Sequence, residues 1–230
     1  MKFHVKNTTI GLILNFIYPC YCRGCGKIGT AFCYCCYFNN TRENPAFFGK
    51  KDKNFRIIMA CGMRKGVLGA MVAEYKYYSR RHFAPVFAKY LLDTIKRFKK
   101  DERFVLVPLP TISKHIRSRG FDHIRQICEE LSRISGFKTC LALNRDKSAV
   151  QVGADAKTRL KQAKEAYKIN SRASFDPKSH FLLVDDVWTT GASMRAARDV
   201  LETELMRRGL KKSEIKISAI CLVKNDGYEF

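Results

Sequence analysis

The sequence predicts a mixed α/β fold: a mostly parallel, twisted sheet flanked by helices and preceded by a small cysteine-rich module. Three observations lead there. From Phe104 onward, short apolar runs alternate with helix-like segments; one run ends in two acids and a Thr-Thr-Gly turn; and six of the ten cysteines lie between Cys20 and Cys36. Such alternation is the pattern of strand–helix–strand units, whose crossovers bring successive strands together in parallel. A chain of 230 residues, 46% of them hydrophobic, suffices for one well-buried core and a minor appendage.

From the N-terminus, the apolar stretch Ile10–Tyr18 follows Lys2 and Lys6 in the manner of a short export signal. At roughly nine residues it falls short of the ~20 that a spanning helix requires. No small-residue cleavage site follows it, and Pro19 precedes Cys20 where a lipoprotein site would want a small residue. The expectation is a packed amphipathic helix in a soluble, cytoplasmic protein with no membrane insertion.

Next come Cys22-Arg-Gly-Cys25 and, seven residues later, Cys33-Tyr-Cys35-Cys36. Each CxxC turn aims two thiolates at one point, and two such turns close the tetrahedron of a structural zinc site. Cys22, Cys25, Cys33 and Cys36 are the expected ligands, with Cys20 and Cys35 as spare candidates. Four thiolates leave no open position for water, so the metal is expected to fold a segment too short for its own core. A disulfide framework would need an oxidising compartment, which the missing export signal does not supply. Gly24-Cys-Gly26-Lys-Ile-Gly29 also fits a dinucleotide GxGxxG spacing, but it follows no strand and encloses a metal-type cysteine, so the match is accidental.

Thr41–Lys53, polar and basic with Pro45 and Gly49, reads as a linker. It divides an N-terminal helix and zinc module over residues 1–50 from a main domain over 51–230. Beyond it Phe55–Ala60 is strand-like and Val67–Tyr78 helical, and Pro85–Phe98 sets Val86, Phe87, Tyr90, Leu91, Ile95 and Phe98 on one helical face. The alternating region then runs Phe104–Val107, Gln126–Ile134, Thr139–Leu143, Ala156–Ala166, Phe181–Val184, Ala192–Arg208 and Ile215–Val223, with Gly209 placed to stop the long helix.

The sharpest feature is FLLVDDVWTTGASM, residues 181–194. A buried strand leads into Asp185 and Asp186, and Thr189-Thr190-Gly191-Ala192-Ser193 then opens a helix. Backbone N–H groups converge in such a turn, the helix start adds positive potential, and the hydroxyls of Thr189, Thr190 and Ser193 can donate further bonds, so a phosphate fits there. The two acids would face the ligand's sugar, where carboxylates accept from vicinal hydroxyls or orient Mg²⁺. A capped helix after a strand is the simpler alternative, but it leaves two acids at a buried strand end without a purpose.

This segment resembles the motif with which type I phosphoribosyltransferases bind 5-phosphoribosyl-1-pyrophosphate (PRPP). The order of features along nearly the whole chain resembles the ComF (ComFC) family of competence proteins, in which a zinc module precedes such a domain. The likeness also rests on Tyr75-Lys-Tyr77 with Arg80-Arg81, Val107–Pro110, Arg117-Ser-Arg119-Gly120-Phe121 and the Gln151–Arg159 stretch. Asp122 and Gln162 stand where that pattern has Asn. The resemblance implies a type I phosphoribosyltransferase-like fold. It implies that PRPP is held by Asp185, Asp186, Val187, Thr189, Thr190, Gly191, Ala192 and Ser193, with Mg²⁺ beside it and the two acids as catalytic carboxylates.

Residues 105–121 resemble the first phosphate-binding loop of that fold, so Lys114, Arg117 and Arg119 would meet pyrophosphate or a DNA strand, unless they are ordinary solvated charges. His115 and His123 read as exposed or capping residues. The formal charge of +22 suits phosphate-rich partners, though a basic surface alone names none. Three functions stay open. The first is a PRPP-binding protein of natural transformation that contacts incoming single-stranded DNA and works beside a competence helicase or channel component at the inner membrane. The others are a nucleobase-salvage or other small-molecule phosphoribosyltransferase, and a non-catalytic PRPP sensor.

Overall fold

The computed structural model describes residues 19–43, 48–52, 54–145 and 166–227. The segment Ile10–Tyr18, the Gln151–Arg159 stretch, Gln162, and all of the expected Ala156–Ala166 element except its last residue lie outside them.

The elements run α1 (Tyr34–Glu43), β1 (Phe48–Lys50), β2 (Ile58–Met63), α2 (Gly66–Tyr77), α3 (Ala84–Phe98) and β3 (Val105–Pro108). They continue with α4 (Ser113–Arg119), α5 (His123–Ser135), β4 (Lys138–Thr139), β5 (Leu143–Arg145), β6 (Tyr167–Ile169), β7 (His180–Trp188), α6 (Ala192–Arg207) and β8 (Lys216–Lys224). Six strands form one sheet in the order β1-β2-β8-β7-β3-β4, and β5 pairs with β6 in a separate antiparallel ribbon. Every pairing from β2 across to β4 is parallel, and only the edge strand β1 runs antiparallel. The mostly parallel sheet flanked by helices is the architecture that the alternating pattern predicts.

Alternation along β7 divides the core. Leu182 and Val184 join the residues of α2, α3 and α5 on one face, while Phe181 and Leu183 join α6 and the β5–β6 ribbon on the other. Both faces of a parallel sheet are thereby covered, which is why β7 and β8 read as continuous apolar runs. In α3, Val86, Phe87, Tyr90, Leu91 and Ile95 are buried as the periodicity requires, and Pro85 sits in the first turn, where its missing N–H costs nothing. Gly209, at φ +95°, closes the end of α6.

Several boundaries differ from the sequence reading. The first strand of the main domain starts three residues later than Phe55, because Ile58–Met63 is the stretch in register with β8. Thr139–Leu143 is split. Cys140 N–H still donates to Leu106 O at 2.8 Å, but the chain then leaves the sheet edge to pair as β5 with β6. Within the stretch read as a linker, Thr41–Glu43 completes α1 and Phe48–Lys50 adds the edge strand β1. β7 does not stop at Val184: Asp185 pairs with Cys221 and Val187 with Val223, so the acids are strand residues rather than turn residues.

The cysteine-rich segment is docked on the main body. Cys22, Ala31, Phe32 and Tyr37 are buried in the same apolar cluster as α3. The Tyr37 hydroxyl donates to Asp93 Oδ2 at 2.6 Å, its ring lies 4.5 Å from that of Tyr90, and Tyr90 in turn donates to Asn40 at 3.0 Å. Asp93 also pairs with Lys89 on the same helix. Replacing Tyr37 by Phe should therefore lower stability by about 1–2 kcal/mol, the worth of a hydrogen bond to a charged acceptor, read as a lower urea midpoint at unchanged slope.

Candidate functional site

The four cysteines expected as ligands converge. The Sγ atoms of Cys22, Cys25, Cys33 and Cys36 all lie within 4.8 Å of one another, and those of Cys25 and Cys33 are 3.7 Å apart. That separation suits a tetrahedral ion with ~2.3 Å metal–sulfur bonds. The first knuckle is a tight turn, with Gly26 N–H donating to Cys22 O at 2.9 Å, and the second is the start of α1. Gly24 is required inside the first knuckle, since a Cβ there would sit 2.6 Å from Cys36 Sγ. Backbone N–H groups feed the sulfurs: Cys33 N donates to Cys22 Sγ at 3.2 Å and Cys36 N to Cys33 Sγ at 3.4 Å. Burial pushes the Cys22 thiol up, but backbone hydrogen bonds from Cys33, Cys25 and Gly24 outweigh it and bring the group down to about 7. Cys20 and Cys35 fall outside the cluster. The donor set is closed, all-sulfur and pre-aimed, and can hold a structural zinc ion.

A second candidate lies at the C-terminal ends of β3 and β7, a cleft of about 440 Å³. From β3 the chain moves outward to β4 and then returns to β7 on the other side, so these strands flank the point where the winding reverses, the position where open α/β sheets bind ligands. The walls carry four cations (Arg64, Lys76, Arg119, Arg145), together with His115 and His123, against Asp185 and Asp186. The charges converge closely. His115 is held below the ordinary histidine value by desolvation and then by Arg119, Lys76, Lys114 and Arg145. A depression of about 480 Å³ beside α6 is less suited to an anion, since its Arg198 is already engaged by Glu202 at 2.6 Å and Asp199 at 2.8 Å.

The paired acids have different surroundings. Asp186 is buried; its Oδ2 receives Lys76 Nζ and His123 Nε2, each at 2.8 Å. Burial would raise its carboxyl, but the His123 hydrogen bond and the Lys76 charge override it and hold the group well below the usual carboxylate range. Arg119 Nη1 lies 3.2 Å from His123 Nδ1. A guanidinium can only donate, so the ring proton sits on Nε2 and points at Asp186. Asp185 is partly open to the cleft. Burial first, and then the neighbouring Asp186 charge, push its carboxyl up to about 7, against the lowering effect of its hydrogen bond from the Asp186 amide at 2.9 Å.

The reading of His123 as exposed or capping is corrected here. His123 is 4% exposed and aligns with Ile124, Ile127, Cys128 and Leu131 on the apolar face of α5. A polar ring on an apolar face must find a partner, and that spacing was the available signal. The capping role belongs to Asp122, whose carboxylate accepts from Arg125 N at 3.3 Å. Lys76 arrives because Tyr75, buried beneath it, is anchored by its hydroxyl to His123 O at 3.0 Å.

Of the β7–α6 turn, Val187, Thr189 and Ser193 line the cleft, while Thr190, Gly191 and Ala192 form the bend behind them. Thr190 Oγ1 accepts from Ala192 N at 3.3 Å, and Arg195 Nη1 donates to Thr190 O at 2.6 Å. Gly191 takes φ +74°, and a Cβ on it would lie 2.4 Å from the Trp188 ring, so no other residue fits. Arg119 reaches the cleft, whereas Lys114 and Arg117 are exposed on α4 outside its lining. Arg145 and Tyr167, on the β5–β6 ribbon, supply the far wall and were not singled out by the sequence; Arg145 Nη1 donates to the Tyr167 hydroxyl at 3.2 Å.

Together these features define a mixed α/β protein with a mostly parallel sheet, a cationic cleft at its switch point and a four-cysteine cluster able to hold zinc. No family model matches the chain. Over 138 residues it is 27% identical to Competence protein ComFC of Bacillus subtilis (strain 168), a match covering 57% of this chain and 52% of that protein. The chain thus spans about half the length of the curated relative it matches. Among the described residues, no helix is long and apolar enough to cross a membrane.

Replacing Cys22 and Cys25 by Ser should abolish bound zinc in a metal assay and lower the melting temperature of the whole chain, because the cluster shares its core with α3. Asp185 gives a pH test. Its folded pKa, about 7, lies above the unfolded 3.8, so the folded state holds the extra proton and this group's contribution to stability declines as pH rises from about 4 to about 7. Asp185→Asn removes that loss. Its stability relative to the parent should increase across this window, by on the order of 2 kcal/mol in urea melts at pH 8 compared with pH 4.5.

Proposed function

We propose that this protein binds PRPP in the cationic cleft, in the manner of a type I phosphoribosyltransferase, and acts in natural transformation on the cytoplasmic side, in contact with single-stranded DNA. The observation that carries the reading is the β7–α6 turn: a glycine-dependent bend at the end of a central strand, opening beside Asp185 into a cleft with four cations. The likeness to a competence protein supports the biological setting.

In this reading the turn, with Thr189 and Ser193, takes the 5-phosphate; Asp185 accepts from the ribose hydroxyls; and Arg64, Arg119 and Arg145 offset the pyrophosphate charge. Asp186 is a support, engaged by Lys76 and His123, rather than a free sugar ligand. Among the described residues the only group of three or more cysteine, histidine or carboxylate ligands that could hold a metal is the cysteine one. Mg²⁺ would therefore come mainly on the oxygens of the ligand itself, where it supplies charge neutralisation of the pyrophosphate.

Calorimetry with PRPP and Mg²⁺ tests the site. The parent should bind, and Asp185→Asn should weaken binding roughly ten-fold or more while the melting curve remains cooperative. Unchanged affinity would remove the ribose assignment. Pyrophosphate release measured against a panel of nucleobases and single-stranded DNA decides the chemistry: turnover with a free base would make the protein a salvage enzyme, and binding with no turnover on any acceptor would make it a sensor.

A further inference from the structure

The rim of the cleft has a feature that PRPP does not use. Tyr77, the last residue of α2, and Tyr78, its cap, are 66% and 74% exposed. Among the described residues, neither ring meets another aromatic and neither hydroxyl has a hydrogen-bond partner. Large exposed aromatics forgo the burial that normally rewards them, and two in succession at the lip of a cleft suit a ligand that brings flat faces of its own. Tyr77 lines the cleft beside His115 and Arg119, and Tyr78 lies just outside it.

The support of this lip is fixed. Ser79, at φ +53°, turns the chain, and its Oγ donates to Arg119 O at 3.2 Å. Arg81 donates to Gly120 O at 2.5 Å and its guanidinium lies 4.5 Å above the Phe121 ring. The tyrosines are thereby fastened to the C-terminal end of α4, whose outer side bears Lys114 and Arg117. The side chains of those two cations and of Arg80, beyond the tyrosines, are exposed and have no ion pair or hydrogen bond among the described residues. In a chain of formal charge +22, adjoining bare rings and unpaired cations select a polyanion with accessible bases. Duplex DNA hides its base faces, and an acidic peptide has none.

We propose that Tyr77, Tyr78, Arg80, Lys114 and Arg117 form a single-strand nucleic-acid track along the lip of the cleft, in which bases stack on the tyrosines and the basic side chains follow the phosphates. This names the surface behind the DNA contact proposed above and rests on that reading.

The test uses the full-length chain and fluorescence anisotropy with a labelled dT oligonucleotide, an abasic oligomer of equal length and a duplex. The parent should prefer dT over both others. Tyr77→Ala/Tyr78→Ala should weaken dT binding roughly ten-fold or more and leave the abasic oligomer unaffected, since only bases stack. Lys114→Gln/Arg117→Gln should weaken both oligomers and reduce the slope of log affinity against log salt by about 1.4, two phosphate contacts at ~0.7 each. Equal dT binding by parent and tyrosine variant overturns this surface and leaves the DNA contact standing elsewhere. Failure of the parent to bind dT overturns both. Equal binding of dT and the abasic oligomer by the parent, insensitive to the tyrosines, overturns the track in favour of a general polyanion face. Tyr78→Ala alone should keep the parent's calorimetric affinity for PRPP, which separates loss of the track from loss of the cleft.

Discussion

A carboxylate deep in the protein holds this structure in its working arrangement. Asp186 stands near the end of the central strand β7, and an ionised acid there is tolerable only if it is matched and hydrogen-bonded. Lys76 comes from α2 and His123 from the start of α5, and Arg119, at the end of α4, fixes the histidine tautomer. Three helices are thus pinned to one strand through a single side chain, and the floor of the cleft is set by that pinning. The neighbouring Asp185 inherits the complementary role. With Asp186 committed to the negative form, Asp185 is the acid free to exchange its proton and meet a ligand.

Much of the architecture was legible because the sheet is parallel and covered on both faces. Phe181–Val184 and Ser218–Val223 read as largely apolar runs, and five of the six positions named on the α3 face are buried, Phe98 being only partly so. The four metal-type cysteines were fully legible, since two short turns leave their thiolates little choice of direction. What sequence spacing misses is whatever tertiary pairing decides. β7 continues through the acids because β8 offers it partners as far as Lys224, a fact invisible in the 181–188 window. Cleft residues from distant elements were missed for the same reason. Arg64, Arg145 and Tyr167 carry no local pattern, and only the fold gathers them around Asp185. Lys114 and Arg117 show the reverse: the spacing put them with Arg119, but they share the outer side of one short helix, whereas Arg119 reaches the cleft.

The N-terminal cluster and the cleft share a frame. Tyr37, in α1, which carries Cys36 and follows directly on Cys33, is bonded to Asp93 of α3; α3 packs against the sheet near α2 and α5, which supply Lys76 and His123. A metal held at the cysteines would therefore brace the helix that packs beside the wall positioning Asp186, although the two sites have no residue in common. A chain segment too small to fold alone is ordered by the surface it covers, and the ion it can hold would add to that.

The distribution of the remaining thiols has a practical use. Cys61, Cys128, Cys140 and Cys221 are buried and Cys20 is partly covered, which leaves Cys35, in the first turn of α1, as the exposed cysteine that the metal does not need. With the cluster filled, a maleimide dye should attach at that one position, giving spectroscopists a reporter on the module without any engineered residue.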